Sequence, residues 1–259
     1  LNWLIGPPTM VASTKRPATF VLGCFGDNPD SVASYVREYV RGTADTGVSV
    51  CATWTDGEID SIPDRHPPLL AGIEAGAQSV LLPPVDVTAE SVQPGSVRKK
   101  LADQYGFQGL IVRKAHTGQE GWKPSDGALE RLASSFAHGQ DMIILPDNPD
   151  TVEPLLDHIM ARVRLKKLDV GALDTSVRSI LALKEKLGLP SVHYNSDDIM
   201  SGMGVREYSQ TAREIISSSV TLLKNDGDIV PVDPRGRYIL FVNFSDSTST
   251  KELTRFSVE

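Results

Sequence analysis

Five short apolar segments, each followed by a segment with helical periodicity, constrain the fold of this chain more than any other feature. The apolar segments are LNWLIGPP (1–8), VSVCATW (48–54), SVLLPPVDV (79–87), GLIVRK (109–114) and DMIILPD (141–147). Short apolar runs bounded by turn residues are typical of buried parallel strands, and strands that alternate with helices form a parallel sheet covered by those helices. The sequence therefore predicts an α/β fold. A closed eight-stranded barrel would need about three further strand–helix units, which the sequence does not contain.

The helices are predicted from apolar residues that recur on one face. The predicted segments are 29–47, 66–77, 95–106, 125–139, 149–167 and 169–188. Asp30 is the expected N-cap of the first helix, and Ser96 that of the third. The expected buried face of the first helix consists of Val32, Tyr35, Val36, Tyr39 and Val40.

The amino-acid composition changes after the last of these helices. Residues 189–204 (LPSVHYNSDDIMSGMG) are polar and irregular, which is typical of a linker. A helix is predicted over 205–219, and RYILFVNFSDSTSTKEL (237–253) reads as a strand, a loop and the start of a helix. We therefore expect a strand–helix domain over 1–189, a linker with a connecting helix over 190–219, and the start of a second α/β domain over 220–259.

Charge and composition exclude several classes of function. The 259 residues carry a formal net charge of −7, so no basic footprint for nucleic acid is present. No window approaches the roughly 18 consecutive apolar residues of a membrane span. The two cysteines, Cys24 and Cys51, are too few for a disulfide scaffold, and Cys51 is expected to be a buried thiol. We find no metal cluster and no glycine-rich phosphate loop, so no metal and no cofactor are expected.

Several segments resemble glycoside hydrolase family 3. CFGDNPDSVASYVREYVRG (24–42) resembles the family's R-S-F-G-x-D-P segment and the helix after it, and QDMIILPDNPD (140–150) its last barrel strand and loop. LDTSVRSILALKEKLGL (173–189) and SSVTLLKNDGDIVPV (218–232) resemble the family's last barrel helix and the entry to its second domain. The resemblance implies a (β/α)8 TIM-type barrel, of which this chain holds the C-terminal five strand–helix units, followed by the start of an αβα sandwich. It is nearest the branch that removes β-linked N-acetylglucosamine from cell-wall fragments.

The resemblance also implies that the family's nucleophile is lost. A retaining glycosidase needs a carboxylate nucleophile and an acid/base residue about 5 Å away. The family writes its nucleophile strand GFxGVVVSDD, and the matching segment here is GFQGLIVRKA (106–115), with Lys114 at the nucleophile position and Arg113 before it. An ammonium group is not a useful nucleophile for the anomeric carbon, and its positive charge opposes an oxocarbenium-like transition state.

The acid/base loop of the family, written KHFPGHGDT, is replaced as well. Ala52 and Thr53 stand at its Lys-His positions, Trp54 stands at its Phe, and the shortened loop that follows holds no histidine. The loop carries three carboxylates that could supply an alternative acid: Asp56, Glu58 and Asp60.

Three further sugar contacts of the family are replaced. Met10 stands at the Asp of NFAPVLDV, Gly23 at the Arg of R-S-F-G, and Pro83 at about the His of MVAH. Because polar positions at the barrel mouth have changed while scaffold segments remain recognisable, the resemblance implies a fold that was kept after its chemistry was lost.

Five residues are candidate pocket residues, each with an alternative interpretation. Arg113 and Lys114 could bind an anion, such as a phosphate or a carboxylate-bearing sugar, or pair with nearby acids or face solvent. His116 could act as a base or be a surface residue. Trp54 and Trp122 could stack on a sugar or pack a loop onto the barrel.

Three functions therefore stay open. The leading hypothesis is a family 3-like domain that is catalytically inactive and has a residual carbohydrate-binding or scaffolding role within a larger protein or assembly. The second is an active retaining glycosidase of the β-N-acetylhexosaminidase type, acting on cell-wall material or oligosaccharides through carboxylates not registered above. The third is a partner-binding module, which would show a large exposed apolar patch.

The chain is expected to be part of a longer protein. It begins without an initiator Met or a signal peptide and stops shortly after a new strand. We expect the preceding polypeptide, or another chain, to supply the missing barrel strands. Two-domain members of the family are often exported, so the resemblance points to the periplasm or the cell envelope.

Overall fold

The computed structural model describes residues 3–12, 24–54, 66–86, 97–116, 125–137, 139–145, 149–189, 205–222, 224–227 and 230–231. The chain divides into two compact units, Leu1–Val192 and His193–Glu259. The domain boundaries expected at residues 189 and 219 stay a prediction. Ser96 and the strand expected within 237–253 lie outside the described residues.

The first unit is a parallel sheet with helices between its strands. In chain order its elements are β1 (Trp3–Pro8), α1 (Pro29–Ala44), β2 (Ser49–Thr53), α2 (Pro67–Glu74), β3 (Ser79–Asp86), α3 (Val97–Tyr105), β4 (Leu110–His116), α4 (Asp126–Ala137), β5 (Met142–Ile144), α5 (Pro149–Arg164) and α6 (Val170–Lys186). The strands pair in the order β1-β2-β3-β4-β5, and every pairing is parallel. The predicted α/β architecture is confirmed, and five parallel strands in chain order are consistent with a partial barrel.

The two sides of the sheet differ in what covers them. On one side, strand residues pack with helix residues, as Val50 does with Val36 of α1 and Leu82 does with Leu69 of α2. On the other side lies a cluster built from strand residues alone, and we call this side the interior face. Its members are Cys51, Leu81 and Val112, with Trp3, Met142 and Ile144 packed against them.

Helix α1 begins two residues earlier than a cap at Asp30 would place it, at Pro29. Its N-cap is Asn28, whose side-chain oxygen accepts hydrogen bonds from the backbone amides of Asp30 at 3.0 Å and Ser31 at 3.1 Å. The prediction that Asp30 caps the helix is therefore wrong. Pro29 explains the difference, because proline is well suited to the first helical position directly after the cap.

The buried face of α1 is narrower than predicted. Val32, Val36 and Val40 are fully buried, whereas Tyr35 is 59% and Tyr39 is 38% exposed. Both tyrosine rings lie against Phe25, with ring centroids 5.9 and 6.4 Å away. The tyrosines extend past the edge of the apolar stripe, so they belong to a surface aromatic group and not to the core.

A buried carboxylate connects four elements at the amino end of the sheet. Asp141 lies just before β5, and its side chain is 1% exposed. One oxygen accepts hydrogen bonds from the Ile111 amide of β4, at 2.7 Å, and from the Arg98 guanidinium of α3. The other oxygen accepts from the Ser176 hydroxyl of α6, at 2.7 Å. Asp141 thereby fixes α3 and α6 against the start of β4 and β5.

Apolar side chains remain uncovered on the outer helices. In α5, Leu156 is 56% and Met160 is 51% exposed, and α6 has no buried residue although Val177 and Leu181 lie one turn apart on it. Among the described strands, β1 and β5 each have a neighbour on one side only. The first unit therefore has open sheet edges and apolar helix faces that a further layer of polypeptide could cover.

The described part of the second unit is α7 (Arg206–Ser219) and a short turn. Asn225 closes the turn, because its amide nitrogen donates to the Val230 carbonyl at 3.0 Å and its oxygen accepts from the Val230 amide at 2.9 Å. Asparagine side chains that bond to nearby backbone groups in this way are typical of turns. No helix in the described part of the chain has the length and apolar character that crossing a membrane requires.

Candidate functional site

The candidate site lies at the carboxyl ends of the strands. All five strands are parallel, so their carboxyl ends share one edge of the sheet, where barrel and doubly wound enzymes bind ligands. Thr53, Pro83, Lys114 and Ile144 occupy this edge on β2, β3, β4 and β5.

Lys114 lies on the interior face at this edge. It follows the buried interior residue Val112 by two positions, and it is in register with Ile144 of β5. Its side chain is exposed, and it makes no hydrogen bond or ion pair within the described part of the chain. Among the strand side chains that the structure describes, none on the interior face is a carboxylate.

Arg113 points to the opposite side of the sheet. It is 8% exposed, and its Nε donates a hydrogen bond to the Pro83 carbonyl at 2.9 Å. Burial lowers the pKa of the guanidinium to about 10, which still leaves Arg113 cationic at neutral pH. Arg113 and Lys114 therefore lie on opposite faces of the sheet, Arg113 on the helix-facing side and Lys114 on the interior face.

Trp54 lies within the helix-facing core. It is 3% exposed and packs in one cluster with Leu69, Leu82 and Tyr105. Its ring stacks on the imidazole of His66 at a centroid distance of 5.6 Å. His66 is the N-cap of α2, since its Nδ1 accepts from the Leu69 amide at 3.3 Å. This placement favours the packing interpretation of Trp54 over a sugar platform.

The resemblance aligns Met10, Ala52 and Thr53 with polar residues of the family, and in this structure they are apolar or bonded to the backbone. Met10 packs against the same cluster as Trp54, and Ala52 is fully buried beside α1. The Thr53 hydroxyl donates to the Pro7 carbonyl at 3.2 Å, and the Thr53 carbonyl accepts from Thr9. These contacts join the ends of β1 and β2, and neither Ala52 nor Thr53 carries a group that titrates near neutral pH.

Several candidate residues cannot be placed. Gly23, Asp56, Glu58, Asp60 and Trp122 lie outside the described residues, and only the backbone of His116 is described. Their predicted roles stay predictions.

One carboxylate at this edge was not among the predicted site residues. Asp86 ends β3, and its Cα is in register with that of His116, at the end of β4. An aspartate at the end of the apolar run SVLLPPVDV was the available signal. The backbone thus brings an Asp and a His to neighbouring positions at the carboxyl edge.

Within the described residues, no group of three or more His, Cys, Asp or Glu side chains could hold a metal ion. Cys51, below the edge, is fully buried on the interior face, and burial raises the pKa of its thiol to about 11. It lies beside Ser79, whose hydroxyl accepts a hydrogen bond from the Trp3 indole at 2.9 Å.

We expect a thiol reagent at pH 8 to modify Cys24 well before Cys51. Cys24 is only half-buried, whereas Cys51 is fully buried and presents little thiolate because its pKa is about 11. Peptide mass spectrometry over a labelling time course measures both sites in one sample, so Cys24 is the internal control. Equal labelling rates in the folded protein would contradict the burial of Cys51.

Parallel strands in chain order with helices between them place this chain in the class of (β/α)-barrel proteins. Proteins of this class bind their ligands at the carboxyl ends of the strands. A β-N-acetylglucosaminidase/β-glucosidase of Cellulomonas fimi is 26% identical over an alignment of 277 positions, which covers 92% of this chain and 48% of that protein. A periplasmic β-glucosidase of Salmonella typhimurium is 25% identical, covering 71% of this chain and 25% of that protein. A comparison with protein-family models gives no match.

Solved structures show the same architecture. The β-glucoside phosphorylase BglX superposes with a TM-score of 0.70 at 22% identity, covering 90% of this chain and 48% of that one. A family 3 β-N-acetylglucosaminidase from Paenibacillus superposes with a TM-score of 0.68 at 20% identity, covering 88% and 48%. The homologues and structural neighbours of this chain include glycoside hydrolase family 3 β-glucosidases and β-N-acetylglucosaminidases, so the predicted family relationship is confirmed. The chain spans about half the length of these proteins, or less.

Proposed function

We propose that this chain is part of a glycoside hydrolase family 3-like protein that binds carbohydrate or acts as a scaffold and does not hydrolyse glycosides. The observation that carries the proposal is Lys114. The resemblance puts the nucleophile at this position, and the position is occupied by an exposed cation on the interior face at the carboxyl edge of the sheet.

The charge of Lys114 opposes the chemistry of a retaining glycosidase. The reaction passes through an oxocarbenium-like transition state, which a carboxylate stabilises and an ammonium group repels. Loss of a catalytic nucleophile alone removes about 10⁴-fold or more of the rate in other hydrolases. Val112 and Ile144, the nearest interior neighbours of Lys114 on its own and the next strand, cannot replace the carboxylate.

We further propose that preceding polypeptide, or another chain, completes the barrel. Three observations support this. Strands β1 and β5 pair on one side only among the described residues, Ile5 of β1 is 44% exposed, and the outer helices leave apolar side chains uncovered. Relatives about twice as long have room for the additional units.

We expect purified full-length protein to release no chromophore from β-N-acetylglucosaminide or β-glucoside chromogenic substrates above the level of a heat-denatured sample. The Cellulomonas fimi relative, assayed in parallel, is the positive control. Turnover by this protein that one Asp or Glu substitution abolishes, with the fold retained, would overturn the proposal.

The second candidate is an active retaining glycosidase. The observation that favours it is the backbone register of Asp86 with His116 at the carboxyl edge, together with relatives that are named as enzymes. If turnover is found, replacing each candidate carboxylate by its amide identifies the acid and the nucleophile. The residues to replace are Asp56, Glu58, Asp60 and Asp86.

A further inference from the structure

The alternation of β4 assigns its two terminal cations to separate environments. Arg113 is buried on the helix-facing side, where it donates to the Pro83 carbonyl. Lys114 is exposed on the interior face, above Val112 and beside Ile144. Lys114 is therefore the cation available to a ligand in the mouth of the barrel.

The surroundings of Lys114 supply no opposite charge among the described side chains. Its interior neighbours are apolar, and Lys114 takes part in no ion pair or hydrogen bond there. The buried carboxylate of Asp141 lies at the other end of β5 and is bonded to Arg98, Ile111 and Ser176. A lysine carries three donors and no acceptor, so the group that complements it best is an anion.

The positive charge at the end of β4 contrasts with the negative net charge of the chain. Its net charge is −7, yet the described carboxyl end of β4 carries two adjacent cations. Arg113 adds positive potential from behind the sheet, since burial leaves it cationic at neutral pH with a pKa of about 10. Positive potential at the ends of the strands favours anionic ligands over neutral ones.

We propose that Lys114 anchors the anionic group, a carboxylate or a phosphate, of a saccharide that binds in the mouth of the barrel. This inference rests on the proposed function, because it assumes that the site binds sugar without cleaving it. In this proposal, the ammonium group stands where the family has its nucleophile, and it binds the anionic group of the ligand by charge. No bond is made or broken in this step.

The test compares a neutral sugar with two anionic sugars and with a free anion. Isothermal titration calorimetry on the full-length protein measures binding of methyl β-glucoside, methyl β-glucuronide, glucose 6-phosphate and inorganic phosphate. We expect the two anionic sugars to bind at least about tenfold more tightly than the neutral glucoside, and this preference to weaken as salt is added. A glucuronide that outcompetes glucose 6-phosphate would identify carboxylate as the preferred source of the charge, and the reverse would identify phosphate.

Variants of Lys114 test the residue itself. Lys114→Met should abolish the preference for anionic sugars, and Lys114→Arg should keep most of it, because Arg retains the charge. Lys99→Met is the matched control, since Lys99 is 73% exposed on α3, away from the strand ends. Circular dichroism melting curves verify that each variant is folded.

The outcomes separate this inference from the proposed function. Equal affinity for charged and neutral sugars, or an anion preference that survives in Lys114→Met, would overturn the inference alone. Binding of inorganic phosphate through Lys114 without binding of any sugar would refute the saccharide ligand. Hydrolysis of the glucoside would overturn the proposed function whether or not the anion preference exists.

Discussion

Replacing Asp141 by Ala is expected to destabilise the first unit by about 3 kcal/mol. The substitution leaves the Ile111 amide and the Ser176 hydroxyl without their acceptor, and it leaves Arg98, whose side chain is 34% exposed, without its carboxylate. We place the estimate at the lower end of the range for a broken buried pair because Arg98 regains part of its hydration. Urea unfolding followed by circular dichroism measures the loss as a lower midpoint.

Two controls make this prediction specific. Asp103→Ala removes a carboxylate that is 59% exposed and paired with Lys99, so its effect should be within about 0.5 kcal/mol. Ser176→Ala removes one of the three groups bonded to Asp141 and should cost about 1 kcal/mol. If Asp141→Ala lowered the free energy of unfolding no more than Asp103→Ala does, the contacts of Asp141 with the four elements would not stabilise the fold.

Replacing Gly109 by Ala is expected to destabilise the same unit by about 3 kcal/mol. An added Cβ would lie 2.3 Å from the Gln78 carbonyl oxygen and 2.6 Å from the Phe107 ring. Neither neighbour can move freely, because the carbonyl accepts a hydrogen bond from the Leu110 amide at 3.0 Å and Phe107 is 4% exposed in the core. The clash therefore displaces the start of β4 from β3.

Gly42→Ala is the matched control for Gly109→Ala. Gly42 lies in α1 with no atom within 4 Å of an added Cβ, so alanine there should be neutral or stabilising by up to about 1 kcal/mol. Thermal unfolding curves of both variants, measured side by side, test the pair. A normal melting temperature for Gly109→Ala would show that β3 and β4 do not approach as closely as the structure describes.

The local features of this fold could be predicted because they depend on neighbouring residues. Apolar runs bounded by turn residues predicted the five strands, and the helix predicted over 66–77 is α2, Pro67–Glu74. Where two local signals competed, the prediction was wrong. Asp30 was chosen as the cap of α1, although Pro29 makes Asn28 the better one.

The candidate site was predicted only in part. The resemblance pointed to Lys114, and the alternation of β4 explains why Lys114 is exposed while Arg113 is buried. The core position of Trp54 was left open, because its stacking partner His66 lies twelve residues further along the chain at the start of another helix. Asp86 was overlooked because only strand register brings it beside His116.

The sequence by itself determined the order of strands and helices and the family relationship. These properties reside in residue type and in spacing along the chain. Only the tertiary structure decided on which side of the sheet Arg113 and Lys114 each lie, and which groups surround Asp141. The partners of Asp141 lie 30 to 43 residues away along the chain. Contacts at such separation leave no local periodicity, and packing of the helices against the sheet is what brings these groups together.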